Sequence, residues 1–314
     1  MKTLSLTEIK KILSTLDPIP AIEQGFLEYS KGKCIVPPVG ELIMDKGEVH
    51  IKYGCVKGEE YYVIKIASGF YKNYEIGLPT SNGLMLLFNQ NTGALMCTLH
   101  DECYLTDIRT AIAGAITAKY LAPKNVTAIG IVGTGVQARL QADYLKSVTD
   151  CRDIIVWGRR PEKLVEYRND MREKGFNVTA TMEMDELCGA ANLIVTTTPS
   201  ETAMINADQV RAGTHITAMG SDTPGKQELD SKILEIADVV VGDSISQCLI
   251  RGEICQAIKS GNIDENKPIE LGNIIAGEAG RVNDQQITVA DLTGVAVQDI
   301  KIAEAVYLAS LENN

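Results

Sequence analysis

Ala128-Ile129-Gly130-Ile131-Val132-Gly133-Thr134-Gly135-Val136-Gln137-Ala138 is the stretch on which the reading of this chain turns. An apolar run enters a Gly133-x-Gly135-x-x-Ala138 turn, and helix-forming sequence follows at once. Gly133 permits the tight turn, Gly135 lets backbone approach a pyrophosphate, and Ala138 allows the helix to pack closely on the strand. The helix start then offers unpaired N–H groups and the positive end of its dipole to phosphate. The spacing alone is common in ordinary glycine turns. Its strand–turn–helix setting makes Gly133, Thr134, Gly135, Val136, Gln137 and Ala138 a dinucleotide-binding site.

Beyond the turn, strands are expected at 126–132, 153–157, 192–196, 214–218 and 238–241, with helices at 136–147 and 161–173 and helical segments to about residue 260. Such alternation requires a parallel, doubly wound sheet and an α/β fold of Rossmann type. Upstream the texture is different. Residues 6–30 read as two short helices broken at Asp17-Pro18 and Pro20, and Val36–Gly40 is extended or turning because each proline disfavours helix before it. Strands are expected at 49–55, 60–67, 83–88 and 94–99, with Asn91-Thr92-Gly93 closing a hairpin. A helix over 103–121 carries apolar residues at 105, 108, 112 and 116, and Ala122-Pro123-Lys124-Asn125 breaks it. The expected division is therefore an α+β domain over 1–121 and a dinucleotide domain over 122–294. A last helix, read over 295–308, is expected to return the segment 295–314 to the first domain.

The length of 314 residues suits two such domains, each able to bury a core. A 45% hydrophobic and 23% charged composition excludes a disordered chain. Thirty basic against 41 acidic residues leave a net charge of −11, which argues against nucleic acid or an anionic membrane as partner. No stretch approaches the ~18 apolar residues of a membrane span, and the start Met1–Glu8 is too polar for a secretory leader. The eight cysteines show no CxxC and read as reduced thiols of a cytoplasmic protein. His50, His100 and His215 lack metal-ligand spacing, so no metal is expected, and His215 reads as a core histidine within a strand.

The strand 153–157 ends in Gly158-Arg159-Arg160, where an NAD site usually has an acid. Two guanidiniums there would grip a 2′-phosphate, which favours NADP(H) with NAD(H) possible; the alternative is a pair of solvated helix-start arginines. Arg109 falls on the inward face of its helix with 105, 112 and 116, so it faces an anion or a cavity, or else snorkels at a domain edge. Lys65 alternates with Tyr61 and Val63 and is either a functional or a surface lysine. Asp222, in the loop Met219-Gly220-Ser221-Asp222 after a short strand, is a proton donor or ammonium partner, or merely a turn former. Thr197 and Thr198 end another strand and would line the same cleft.

Several stretches resemble the ornithine cyclodeaminase/mu-crystallin family: Lys65–Gly69, Gly77–Pro79, Tyr104–Ala111, Gly133–Arg139, Met219–Asp230 and Asp291–Asp299, in family order. The run Gly77–Leu87 is most similar to the subgroup named after ectoine utilisation. The resemblance implies a homodimer of two-domain subunits acting on a small amino or imino acid. Lys65 and Arg109 would hold the substrate carboxylate with Thr80 nearby, and Asp222 would handle protons. Arg159, Arg160, Thr197, Thr198, Met219, Gly220, Ser221 and Val295 would join the glycine turn in the cofactor site. Reduction of a cyclic imino acid is the expected reaction; a cyclodeaminase and a non-catalytic binding protein of mu-crystallin type are the alternatives. One departure stands out: the family arginine expected near residue 40 is missing, with Gly40 in its place. One charge-assisted carboxylate contact, worth about 1.5–3 kcal/mol, would be lost with it.

Overall fold

The computed structural model describes residues 1–70 and 72–312. In chain order the elements are β1 (Lys2–Ser5), α1 (Leu6–Leu13), α2 (Ile19–Ser30), β2 (Cys34–Ile35), β3 (Gly40–Met44), β4 (Gly47–Val56), β5 (Tyr61–Gly69), β6 (Ser81–Asn89), β7 (Leu95–His100) and α3 (Tyr104–Leu121). Then follow β8 (Ile129–Val132), α4 (Val136–Tyr144), β9 (Asp153–Trp157), α5 (Pro161–Glu173), β10 (Asn177–Thr181), α6 (Met184–Ala190), β11 (Leu193–Thr196), β12 (His215–Ala218), α7 (Ser231–Ile236) and β13 (Val239–Gly242). The chain ends with α8 (Ile245–Cys248), α9 (Gly252–Lys259), β14 (Ile269–Glu270), α10 (Leu271–Ile275), β15 (Thr288–Asp291) and α11 (Ala296–Glu312). Two compact units result: residues 1–110 with 295–314, and residues 111–294.

The first unit is a seven-stranded sheet in the order β1-β7-β6-β5-β4-β2, with β3 also paired to β4. Only β1 runs parallel to its neighbour; the others are antiparallel. Period-two alternation sends Val56, Tyr61, Val63, Met85, Leu87, Cys97 and Leu99 to one buried face. Helix α11 packs on that face against β4 and β5. The other face leaves Leu42, Ile51 and Tyr53 exposed.

The second unit is an eight-stranded, wholly parallel sheet in the order β10-β9-β8-β11-β12-β15-β13-β14. Strands β8, β11, β12, β13 and β15 are buried throughout, as a sheet covered on both faces demands. β15 is the unexpected member. It inserts between β12 and β13 from far along the chain, and its four residues, Thr288-Val289-Ala290-Asp291, are too few to show a period.

The division of the chain falls inside α3, between Thr110 and Ala111, rather than after residue 121. The second half of the helix belongs with the dinucleotide unit because it packs there: a Cβ on Gly114 would lie 2.0 Å from Gln141 Oε1 on α4. Pro20 does not break α2 but occupies its first turn, where the missing N–H is harmless.

His215 is fully buried on β12, its ring nitrogens 2.8 Å from Thr288 Oγ1 and 3.0 Å from Thr217 Oγ1. Burial, aided by the Arg281 charge, pushes its pKa down to about 3 from 6.5. The unfolded chain therefore binds a proton in that interval that the folded chain refuses. The contribution to stability is complete above pH 6.5 and is lost on acidification toward 3. In urea titrations His215→Gln should flatten the acid-side loss of stability by up to about 1.4 kcal/mol per pH unit; an unaltered slope would contradict the neutral assignment.

Candidate active site

In the second unit the glycine turn connects β8 to α4 at the carboxyl end of the sheet. Gly133 has φ +118°, and a Cβ there would lie 2.6 Å from Thr197 Oγ1. Gly133 N donates to Trp157 O at 2.9 Å, which anchors the turn to β9. Gly135 has no neighbour within 4 Å of a built Cβ, and α4 begins there with no side-chain cap. Backbone N–H groups are thus presented across open space, as a pyrophosphate requires. Ala138 is fully buried, and its carbonyl accepts from Tyr167 Oη at 3.0 Å. A cleft of about 530 Å³ is lined by Gly133, Thr134, Gly135, Val136, Arg159, Arg160, Thr197 and Thr198, with Arg139 and Lys163. A larger hollow of about 820 Å³ opens at the amino ends of β8–β10, away from the ends where such sheets bind ligands.

Arg159 and Arg160 are exposed at the end of β9. Arg160 precedes Pro161, the first residue of α5, and its Nε lies 3.9 Å from Glu162. Thr197 Oγ1 donates to Val132 O at 3.0 Å, so that hydroxyl braces the turn. Thr198 and Gly220 share an organiser that the sequence reading missed. The buried Glu228 carboxylate accepts from Thr196 Oγ1 (2.7 Å), Thr198 N (2.6 Å), Thr198 Oγ1 (2.9 Å) and Gly220 N (2.8 Å). Gly220 is glycine because a Cβ would lie 1.9 Å from Thr198 O. Behind Glu228, Glu253 accepts from Ser221 Oγ, Glu228 N and Leu229 N. Burial pushes the Glu253 carboxyl up to about 7 and also raises that of Glu228. Met219 contacts the Gln141 amide through sulfur.

Asp222 is half exposed, and its Oδ1 accepts from Lys226 Nζ at 2.7 Å. Its carbonyl accepts from Arg251 Nη1 at 3.3 Å. Val295 is fully buried just before α11. Asp243 holds the preceding turn, accepting from Thr293 N, Thr293 Oγ1 and Gly294 N.

In the first unit Lys65 lies on the buried face of β5, and 2% of it is exposed. It is not a surface lysine, because its alternation partners Tyr61 and Val63 are themselves core. Lys65 Nζ donates to Asp299 Oδ1 at 2.9 Å. Arg109, equally buried on α3, places Nε 3.0 Å from the same oxygen and donates from Nη1 to Gln298 Oε1 at 3.3 Å. Burial would raise the Asp299 carboxyl, but the Arg109 and Lys65 charges hold it below its usual range. Asp299 Oδ2 has no hydrogen-bond partner. Two cations therefore share one carboxylate oxygen inside the protein. Asp299 was not singled out from the sequence; the signal was an acid in the first turn of the last helix.

A second buried acid adjoins this group. Asp101 Oδ2 accepts from Leu105 N at 2.9 Å and starts α3, while Oδ1 has no partner. Burial pushes its pKa up to about 6, opposed by the Lys65 charge. The next two residues, Glu102 and Cys103, have left-handed φ of 52° and 69°, a strained turn for non-glycine residues. Thr80 is exposed before β6, and its carbonyl accepts from Phe70 N at 2.7 Å. Among the described residues no His, Cys, Asp or Glu group is arranged to hold a metal ion, and no helix is long and apolar enough to cross a membrane. All eight cysteines are free thiols.

The whole chain, residues 1–314, matches the sequence pattern of the ornithine cyclodeaminase/mu-crystallin family, and it belongs to that family. It is 38% identical over 323 residues to an uncharacterized cyclodeaminase of Sinorhizobium fredii, covering 100% of this chain and 97% of the relative. It is 36% identical over 318 residues to an alanine dehydrogenase of Archaeoglobus fulgidus, with the same coverages. Among solved structures, a Δ1-pyrroline-2-carboxylate reductase of Thermococcus litoralis in complex with NADH and L-proline superposes with a TM-score of 0.93 at 28% identity, covering 100% of this chain and 98% of that one.

Glu228→Gln should leave the protein folded while weakening dinucleotide binding at least about fivefold. The amide nitrogen would face the Gly220 N–H, an unsatisfied donor pair worth about 1–3 kcal/mol. Fluorescence titration with NADPH and NADH measures this, and unaltered affinity in a folded variant would contradict the bracing role.

Proposed function

We propose that this enzyme reduces a small, cyclic imino acid to its L-amino acid, adding hydride at Cα, with NADPH the preferred reductant. The observation that carries the reading is the buried Lys65–Asp299–Arg109 cluster in a chain that also holds a glycine-turn cradle. Lys65 and Arg109 share one oxygen of Asp299, and their remaining donors suit a substrate carboxylate. The open turn at Gly135 and the Gly133–Thr197 contact leave the cradle free for a nicotinamide dinucleotide. When bound, the reduced nicotinamide supplies the hydride.

The protein's own part is positioning and proton supply. Asp299 fixes the Lys65 ammonium and the Arg109 guanidinium against each other, so both donor sets are oriented before substrate arrives. Fixing the carboxylate fixes the α-carbon one bond away. Asp222 delivers a proton at the substrate nitrogen as Cα is reduced, so the C=N bond becomes CH–NH. Lys226 orients the Asp222 carboxylate through its 2.7 Å contact. Arg159 and Arg160, with no acid at the end of β9, support preference for a 2′-phosphate. The apolar outer face of β3 and β4 supports pairing of two copies into a homodimer.

Cyclodeamination is the second reading, raised by the name of the Sinorhizobium relative. There Cα is oxidised, ammonia leaves, and hydride returns without net redox. Incubation with Δ1-pyrroline- or Δ1-piperideine-2-carboxylate should consume NADPH stoichiometrically. Ammonia released from ornithine or lysine without net cofactor change would select cyclodeamination instead.

Arg109→Ala and Asp222→Asn should each lower turnover at least about tenfold, an effect of ~1.4 kcal/mol or more. A near-normal rate in either removes that residue from the mechanism. Replacing Arg159 and Arg160 together by alanine should raise the KM for NADPH at least about tenfold and that for NADH less than about threefold. Equal changes for the two cofactors would contradict 2′-phosphate recognition.

A further inference from the structure

Arg139 ends the Gly133–Arg139 stretch, and the roles above leave it unused. It stands near the start of α4, at the wall of the cleft around the glycine turn. Its Nη1 donates to two backbone carbonyls of that turn, Thr134 O at 2.5 Å and Gly135 O at 3.2 Å. On the other edge of the guanidinium, Nε and Nη2 lie 2.7 Å and 2.6 Å from Asp170 Oδ2 on α5. The guanidinium carbon also sits over the Tyr167 ring, 5.2 Å from its centroid. Tyr167 Oη donates in turn to Ala138 O, so one turn of α5 grips both Arg139 and the beginning of α4.

A trans peptide unit is planar, and its N–H points opposite to its C=O. The Thr134 carbonyl shares a plane with the Gly135 N–H, and the Gly135 carbonyl with the Val136 N–H. Fastening both carbonyls to Arg139 therefore turns both N–H groups away from the guanidinium. These N–H groups stand where α4 begins, and no side-chain cap orients them. Gly135 cannot hold them by itself. A Cβ there would meet nothing within 4 Å, and glycine loses more conformational freedom on ordering than any other residue. A turn left loose would lose that freedom when the cofactor binds, whereas a turn already fixed does not.

Asp170 has the lesser part. Its side chain is half exposed, where an ion pair contributes little. The carbonyl contacts run through Nη1 and do not pass through Asp170.

We propose that Arg139 is a positioning residue for the dinucleotide, fixing the Thr134 and Gly135 carbonyls so that the Gly135 and Val136 N–H groups are aimed at the pyrophosphate. The proposal rests on the reading above that the glycine turn takes a nicotinamide dinucleotide.

Its test compares Arg139→Met, Arg139→Lys and Asp170→Asn with the wild type. Met and Lys are both good helix formers, so α4 should survive, and thermal melting checks the fold. NADPH and NADH are titrated separately by calorimetry. In Arg139→Met both should bind at least about tenfold more weakly, and by factors that agree within about threefold, because the pyrophosphate is common to the two. Arg139→Lys, with a stem that reaches one carbonyl, should fall between Arg139→Met and the wild type. Asp170→Asn should stay within about threefold of the wild type for both cofactors. Without cofactor, amide hydrogen exchange over residues 134–137 should quicken in Arg139→Met and stay as in the wild type in Asp170→Asn.

Preserved affinity or unaltered exchange in a folded Arg139→Met protein overturns the proposal. So does a loss confined to NADPH, which would make Arg139 a 2′-phosphate ligand. An Asp170→Asn loss as large as that of Arg139→Met would reduce the arginine to a staple between α4 and α5, and overturns it too. Equal losses for the two cofactors, in a protein that reduces no imino acid, would keep the positioning role and overturn the reductase reading alone.

Discussion

Lys65 and Arg109 are buried on a single carboxylate oxygen, and much of the chain's organisation follows from that contact. Taking an ammonium or guanidinium out of water costs several kcal/mol per ion unless an anion compensates. Lys65 arrives on β5, Arg109 on α3 and Asp299 on α11, close to the far end of the chain. The last helix must therefore come back to the first sheet, where it covers β4 and β5 and completes their core. The C-terminal segment joins the first unit for this electrostatic reason as well as for the apolar residues of α11. Asp299 Oδ1 takes both cations, and under the proposed function their remaining donors hold the acid group of the substrate.

The second unit applies buried acids differently. Glu228 and Glu253 receive hydrogen bonds from loop backbone and hydroxyls, and so tie the ends of β11 and β12 together. Asp291, at the end of β15, accepts from Ile254 N at 2.9 Å and lies against Gly252, whose Cβ would come within 2.4 Å of it. Burial raises the carboxyls of Glu228, Glu253 and Asp291, and repulsion from neighbouring acids adds to it for Glu253 and Asp291. Rigid loops around an open glycine turn suit a site whose task is to hold a cofactor in one pose.

Much of this was legible in the residues. The glycine turn announced its strand and helix because small residues are required at defined places. Strand 153–157 and helix 161–173 have the limits expected of them, with Pro161 at the helix start. What escaped reading has physical reasons. Asp299 shares its helix with Glu304 and Glu312, and nothing local says that its own partners lie 234 and 190 residues away. Glu228 sits in a polar loop where its four donors cannot be foreseen. Strand β15 is four residues long and fully buried, so it shows neither alternation nor length. The division within α3 escaped because helix periodicity is blind to which core each turn packs on. Lys65 was ambiguous for a related reason, since alternation shows which residues share a face but not which face is covered.

The most direct test of the account is to follow the hydride itself. NADPH carrying deuterium at C4 of the nicotinamide, supplied as each C4 epimer with Δ1-pyrroline-2-carboxylate, should yield L-proline with one deuterium at Cα from one epimer and none from the other. Product lacking deuterium at Cα from both epimers, or NADPH consumed without an amino acid formed, would contradict it.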